Sequence, residues 1–137
     1  MVVKGIFLWY AYRVEKAIHC DGSLITNPFF FKVGHPRGRA TAKINFSPNE
    51  RIILSLDSDD NTNNEAELFA LLVAVVEAYK RGIKTIYSDS KLMVGIAMEN
   101  YKVKEERLRL TALIIKRLVK EYQIEVKWCP RKKLWAT

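Results

Sequence analysis

Three acidic residues stand where their type and spacing could do chemistry. Asp21 falls at the end of a predicted strand, Glu67 in the first turns of a predicted helix, and Asp89 at the end of a second strand. Converging carboxylates repel one another, and a divalent cation relieves that repulsion. Oxygen-only donors favour Mg²⁺ or Mn²⁺. Two such ions, roughly 3.5–4 Å apart, activate a water and stabilise the leaving oxygen in phosphodiester hydrolysis. Taken singly, the residues have plainer readings: Asp21 as a turn residue, Glu67 as a favourable charge near a helix N-terminus, Asp89 as a helix cap. Their joint placement argues for the metal centre, so the elements that would bring them together carry the argument.

Lys16–Ser23 alternates loosely and ends in Asp21-Gly22-Ser23, a strand running into a turn. Asn27-Pro28 and Gly34–Gly38 punctuate a loop. Arg39–Phe46 places Ala40, Ala42, Ile44 and Phe46 on one face of a half-buried strand, and Arg51–Leu56 is the next strand of a meander. Thr62 or Asn63 can cap a helix that carries Leu68, Leu71, Leu72, Val75, Val76 and Tyr79 at helical spacing, and Gly82 closes it. Ile83–Ser88 is of strand length, Ser90–Asn100 a short helix, Glu105–Tyr122 a longer one, and Gln123–Cys129 a final strand with Ile124, Val126 and Trp128 on one face. Residues 1–17 read as an extra N-terminal strand. The order β-β-β-α-β-α-α-β describes an α/β domain with a mixed five-stranded sheet flanked by helices. Its helical crossovers require parallel strands. If the strands of Asp21 and Asp89 are parallel neighbours, their carboxylates emerge side by side at the crevice outside the strand ends.

The chain has 137 residues, a mass of 15.9 kDa and a net charge of +8, with 49% hydrophobic and 28% charged residues. This describes one globular domain over residues 1–137 and excludes disordered, collagenous and coiled-coil classes. Residues 1–100 hold 12 basic and 11 acidic side chains, whereas residues 101–137 hold 11 and 4. A localised basic surface attracts polyanions, nucleic acid before membrane, although a solvated helix face explains such an excess equally well. Cys20 and Cys129 are too few for a disulfide framework or a zinc site and are expected to be reduced. The longest apolar run, Leu68–Val76, is far short of the ~20 residues that span a bilayer. Gly5–Tyr12 lacks the cleavage site of a signal peptide. The expectation is a cytoplasmic protein without a membrane partner.

Four pieces in order carry a resemblance. Asp21-Gly22-Ser23 with Asn27-Pro28 beyond it resembles the first-strand motif of the type 1 ribonuclease H family. Asn63-Asn64-Glu65-Ala66-Glu67-Leu68 resembles its NNxAEL helix start, and Ser88-Asp89-Ser90 its strand end. The run from Tyr101-Lys102-Val103-Lys104 to Trp128-Cys129-Pro130-Arg131 is similar to the reverse-transcriptase-like branch. The resemblance covers roughly residues 17–137 and implies a ribonuclease H-like fold. It implies endonucleolytic cleavage of the RNA strand of RNA–DNA hybrids, with double-stranded RNA a second duplex partner. It makes Asp21, Glu67 and Asp89 the catalytic and metal-binding carboxylates for two Mg²⁺ or Mn²⁺ ions. Ser23, Asn63, Asn64 and Ser90 then lie along the nucleic acid, where short amides and hydroxyls can contact a 2′-OH. Lys102, Lys104, Arg107 and Arg109, before and at the start of the long helix, and Arg131–Lys133 after the last strand are the candidate phosphate contacts, with solubility the plainer reading for several of them.

The family has a fourth acidic residue after a PRxxNxxAD run. Pro130 to Thr137 follows that register without the Asn and ends one residue before the acid, and the family's final helix and His-bearing loop are missing. The α-carboxylate of Thr137, near that register, is the candidate substitute donor that the resemblance leaves. Glu65 is not one, because two residues along a helix turn a side chain about 200° away. Phe29-Phe30-Phe31 replaces the family's Gly-rich turn and suits core packing better than base stacking. A non-catalytic nucleic-acid-binding module on the same fold is the alternative function, and a superfamily nuclease acting on DNA junctions or single strands is a third. Asp57-Ser58-Asp59-Asp60-Asn61 lacks the Gly and Glu of a calcium loop and reads as a solvated turn. His19 reads as a packed histidine. The His35, Arg37 and Arg39 stretch reads as an exposed loop that could approach phosphate. Trp9 and Trp128 suit packing, and Trp135 packing or stacking.

Overall fold

The computed structural model describes residues 16–26 and 37–137. All but the last two residues of the strand expected over residues 1–17, the Asn27-Pro28 turn, Phe29-Phe30-Phe31 and His35 lie outside them. Strands β1 (Ala17–Thr26), β2 (Gly38–Ser47) and β3 (Glu50–Ser55) come first. Helix α1 (Asn63–Arg81), strand β4 (Thr85–Ser88), helices α2 (Lys91–Met98) and α3 (Glu106–Glu121), and strand β5 (Glu125–Trp128) follow. A short 3-10 turn, Arg131–Lys133, comes last. The sheet order is β3-β2-β1-β4-β5. β1–β2 and β2–β3 are antiparallel, whereas β1–β4 and β4–β5 are parallel.

One local expectation is corrected. Asp21-Gly22-Ser23 is not a turn, since β1 continues through it to Thr26. The ladder with β2 explains why. Asp21 pairs with Lys43, Gly22 with Ala42 and Ser23 with Thr41, so long-range pairing overrides a tripeptide that favours turns.

Alternation along the strands divides the sheet into two faces. Ile18, Cys20, Ala42, Ile44, Ile86 and Val126 pack with Leu68, Leu71, Val75, Met93 and Ile115 of the helices. The opposite parity of β1 carries His19 and Asp21. There Tyr87 packs against a small cluster of Cys129, Leu134 and Ala136. Trp135 stacks on the buried His19 ring, with centroids 3.8 Å apart, and its backbone N–H donates to His19 Nδ1 (3.0 Å). Arg51 secures the same segment by donating to the Trp135 carbonyl oxygen (2.9 Å) and to Asn45 Oδ1 (2.8 Å).

The ends of α1 follow local chemistry. Thr62 is the cap: its hydroxyl accepts from the Glu65 N–H, and its own N–H donates to Glu65 Oε1, both at 3.2 Å. Gly82 ends the helix at φ 67°, a left-handed conformation that glycine adopts without a Cβ penalty. Trp128 departs from its expected place on the buried face with Ile124 and Val126. It is 45% exposed, being the last residue of an edge strand. Among the described residues, no helix is long and apolar enough to cross a membrane.

Candidate active site

The parallel register aligns the first two acids. β1 and β4 pair Ala17 with Thr85, Ile18 with Ile86 and His19 with Tyr87. Two residues further along that register, Asp21 comes level with Asp89, the residue after the end of β4. Asp21 therefore projects from a strand that continues past its parallel neighbour, paired there with β2.

Glu67, in the second turn of α1, is brought in by a close backbone approach. A Cβ built on Gly22 would overlap the Ala66 carbonyl group and lie 2.5 Å from Glu67 Cα. Only glycine lets the start of α1 rest on β1 at this point. Ser90 then links the second and third acids. It caps α2 by accepting from the Met93 N–H (3.2 Å), and its hydroxyl donates to Glu67 Oε2 (3.2 Å).

Electrostatics agree with this convergence. Burial pushes the Asp21 pKa up, and the Asp89 charge adds to it, while Arg131 and Lys43 act in the opposite direction. Burial also raises Glu67. The Ser90 hydrogen bond opposes that rise, and the charges of Asp89 and Asp21 reinforce it. The acids thus sit within electrostatic reach of one another. Among the described residues, no three His, Cys, Asp or Glu side chains stand ready to hold a metal ion.

The other expected site residues are spread around this centre. Ser23 is half-buried in β1, and Asn63 is exposed at the start of α1. Asn64 donates to Glu105 Oε1 (3.4 Å) and, with Lys91, Tyr101, Lys102 and Lys104, lines a cleft of about 540 Å³. Arg131 is exposed in the 3-10 turn, and its charge favours ionised Asp21. Arg107 and Arg109 are engaged within the protein instead. Arg107 pairs with Glu65 (3.4 Å) and donates to the Asp60 carbonyl oxygen (3.0 Å), and Arg109 donates to the carbonyls of Val103 and Lys104. Arg37 and Arg39 pair with Asp60 and Asp59, so the Asp57–Asn61 turn neutralises the basic stretch. Cys20 and Cys129 are free, with burial the main cause holding both thiols protonated.

Sequence reasoning missed three contributors. Lys43 opposes Asp21 across the β1–β2 ladder, a long-range register that the residues around either one do not announce. Lys91 lies over the Trp128 ring, 4.9 Å from its centroid, and the Trp128 indole N–H donates to the Asp89 carbonyl oxygen (3.1 Å). The spacing of the acids contains no signal for either.

The pattern of the RNase H family matches residues 13–133, and the chain belongs to that family. Its mixed five-stranded sheet with three helices is the RNase H-like fold. Several solved structures resemble it. One is the compost-derived LC11 ribonuclease H1 in complex with an RNA/DNA hybrid, at 25% identity and a TM-score of 0.60, covering 88% of each chain. Another is the N-terminal RNase H domain of a Mycobacterium tuberculosis protein, at 20% identity and a TM-score of 0.62, covering 88% of this chain and 86% of that one. A third is ribonuclease H1 of Halobacterium salinarum, at 17% identity and a TM-score of 0.59, covering 87% and 88%. No curated protein sequence matches the chain.

Proposed function

We propose that this RNase H family member is a metal-dependent endonuclease that hydrolyses the RNA strand of RNA–DNA hybrids. In this reading Asp21, Glu67 and Asp89 bind two Mg²⁺ or Mn²⁺ ions. The main support is the parallel register that brings Asp21 level with Asp89 while Gly22 seats Glu67 beside them. The donor set fits a hard divalent cation: its groups are acceptor-only oxygens, and burial, reinforced by the neighbouring carboxylates, raises Asp21 and Glu67. Both side chains are only half-buried, which leaves them room to close on an ion. When bound, the ions supply water activation and charge neutralisation at the leaving oxygen.

The chain's own residues hold and orient. Ser90 steadies Glu67, and Arg131 and Lys43 favour the ionised form of Asp21. Lys91, Lys102 and Lys104 supply positive charge along the cleft, where a backbone phosphate is attracted. Asn64 offers an amide in the same cleft, suited to the sugar edge of a duplex rather than to base sequence. The LC11 relative bound to an RNA/DNA hybrid supports the choice of substrate.

A cleavage assay on a labelled hybrid with Mg²⁺ or Mn²⁺ tests the reading. Asp89→Asn should lower the rate at least about a hundredfold, since it removes one charged donor from the ion-binding set. Equal rates for wild type and variant would sink it. Salt-dependent hybrid binding without cleavage in any divalent metal would favour the non-catalytic module.

A further inference from the structure

Asp89 occupies the bend between β4 and α2, between the end of a ladder and the start of a helix. Its carbonyl oxygen accepts from Trp128 Nε1 (3.1 Å). The N–H of the same peptide unit belongs to Ser90 and donates to Ser88 Oγ (3.1 Å). A planar peptide gripped at both its oxygen and its nitrogen cannot rotate without breaking a hydrogen bond. That plane sets ψ of Asp89, and so the direction in which the Asp89 side chain leaves the backbone.

Trp128 can reach the bend because β5 pairs in parallel with β4 and Ser88 stands opposite it. The ring remains 45% exposed. Its N–H could bond to water, yet it points at the bend instead. The ring face lies under Lys91, whose Nζ is 4.9 Å from the centroid, within cation–π range. Lys91 also lines the cleft. One indole thus touches the backbone of an acid and the side chain of a neighbouring cation.

We infer that Trp128 is a positioning residue, aiming Asp89 through its indole N–H and holding Lys91 at the cleft through its ring. Its catalytic consequence rests on the nuclease reading above, whereas its grip on the bend does not. Trp128→Phe keeps a ring under Lys91 and removes the N–H, and Trp128→Leu removes both.

The test uses the full chain in two measurements: hybrid cleavage with Mn²⁺, and amide hydrogen exchange followed by NMR on metal-free protein. Trp128→Phe should lower kcat about three- to tenfold and leave KM within about twofold, the loss expected for one hydrogen bond. Trp128→Leu should lower kcat similarly and raise KM as well. In the metal-free protein, Trp128→Phe should speed exchange of the Ser90 amide while amides in the middle of β1 and α1 keep their protection. Wild-type kcat or wild-type Ser90 exchange in Trp128→Phe overturns the inference. A uniform rise in exchange across the sheet does so too, because it signals general loosening. If the wild type does not cleave, the nuclease reading fails, and Ser90 exchange alone decides whether Trp128 fixes the bend.

Discussion

At Asp21 and Glu67, burial comes first among the forces that oppose ionisation, and neighbouring carboxylates add to it. A carboxyl whose pKa is higher folded than unfolded binds more protons in the folded state. Stability is therefore fully present below the unfolded value and is lost as pH rises through the folded one. For the metal-free protein the window opens at ordinary carboxylate values, near pH 4, and extends upward. Asp21→Asn removes one member of the repelling set. It should raise Tm of the metal-free protein at neutral pH, and the gain should vanish below about pH 4. Divalent ions act on the same repulsion. On the proposed reading, Mn²⁺ at about a hundred times its Kd should stabilise the wild type by about 2.7 kcal/mol for each ion bound. The shift should be smaller in Asp21→Asn. Thermal melts across pH, with and without Mn²⁺, check both statements, and a lower Tm for the variant at neutral pH contradicts the first.

Between elements, the contact of β1 with the start of α1 is the tightest constraint on the site. A methyl group at Gly22 has nowhere to go but into the α1 backbone. Gly22→Ala should destabilise the fold by about 2 kcal/mol or more, the scale of overpacking. It should also lower hybrid cleavage in the fraction that remains folded, because Glu67 moves away with the helix. Denaturant melts and activity corrected for folded fraction measure the two effects. The far end of α3 offers a change in the opposite direction. Gln123 follows that helix at φ 55°, where a side chain is strained. Gln123→Gly should stabilise by about 1 kcal/mol without changing cleavage. A fall in Tm would show that the Gln side chain contributes more than its backbone strain costs.

On the scale of the whole molecule, the basic side chains around the site, most of them C-terminal, include two populations. Arg107 and Arg109 bind carboxylates and carbonyls within the protein, as Lys116 binds the Tyr101 carbonyl oxygen. Lys91, Lys102 and Lys104 line the cleft, and Arg131 stands near Asp21. If these four meet phosphates, the logarithm of hybrid affinity should fall against the logarithm of salt concentration with a slope of about −3 to −4. Lys102→Ala should flatten that slope by about 1, and Arg109→Ala should leave it unchanged. Fluorescence anisotropy across a salt series, in Ca²⁺ or without metal to prevent cleavage, distinguishes the two populations.

Local chemistry was legible along the chain. Helix α1, its Thr62 capping chemistry and its Gly82 stop follow from residues within a turn of one another, as do the period-two strands. The order of elements was readable for the same reason, and the three acids were proposed from their joint placement at the strand ends. Other features depend on residues far apart in the chain. Asp21-Gly22-Ser23 reads as a turn by composition, and only pairing with Lys43, Ala42 and Thr41 makes it strand. The alignment of Asp21 with Asp89 needs the β1–β4 register, and the Gly22 contact needs α1 folded back on the sheet. The Trp128 bond to Asp89 needs β5 laid beside β4. Hydrophobic period and capping are short-range properties that a sequence carries by itself. Strand register, backbone approach and the separation of charges are settled only when distant segments exclude water together, so they belonged to the tertiary structure.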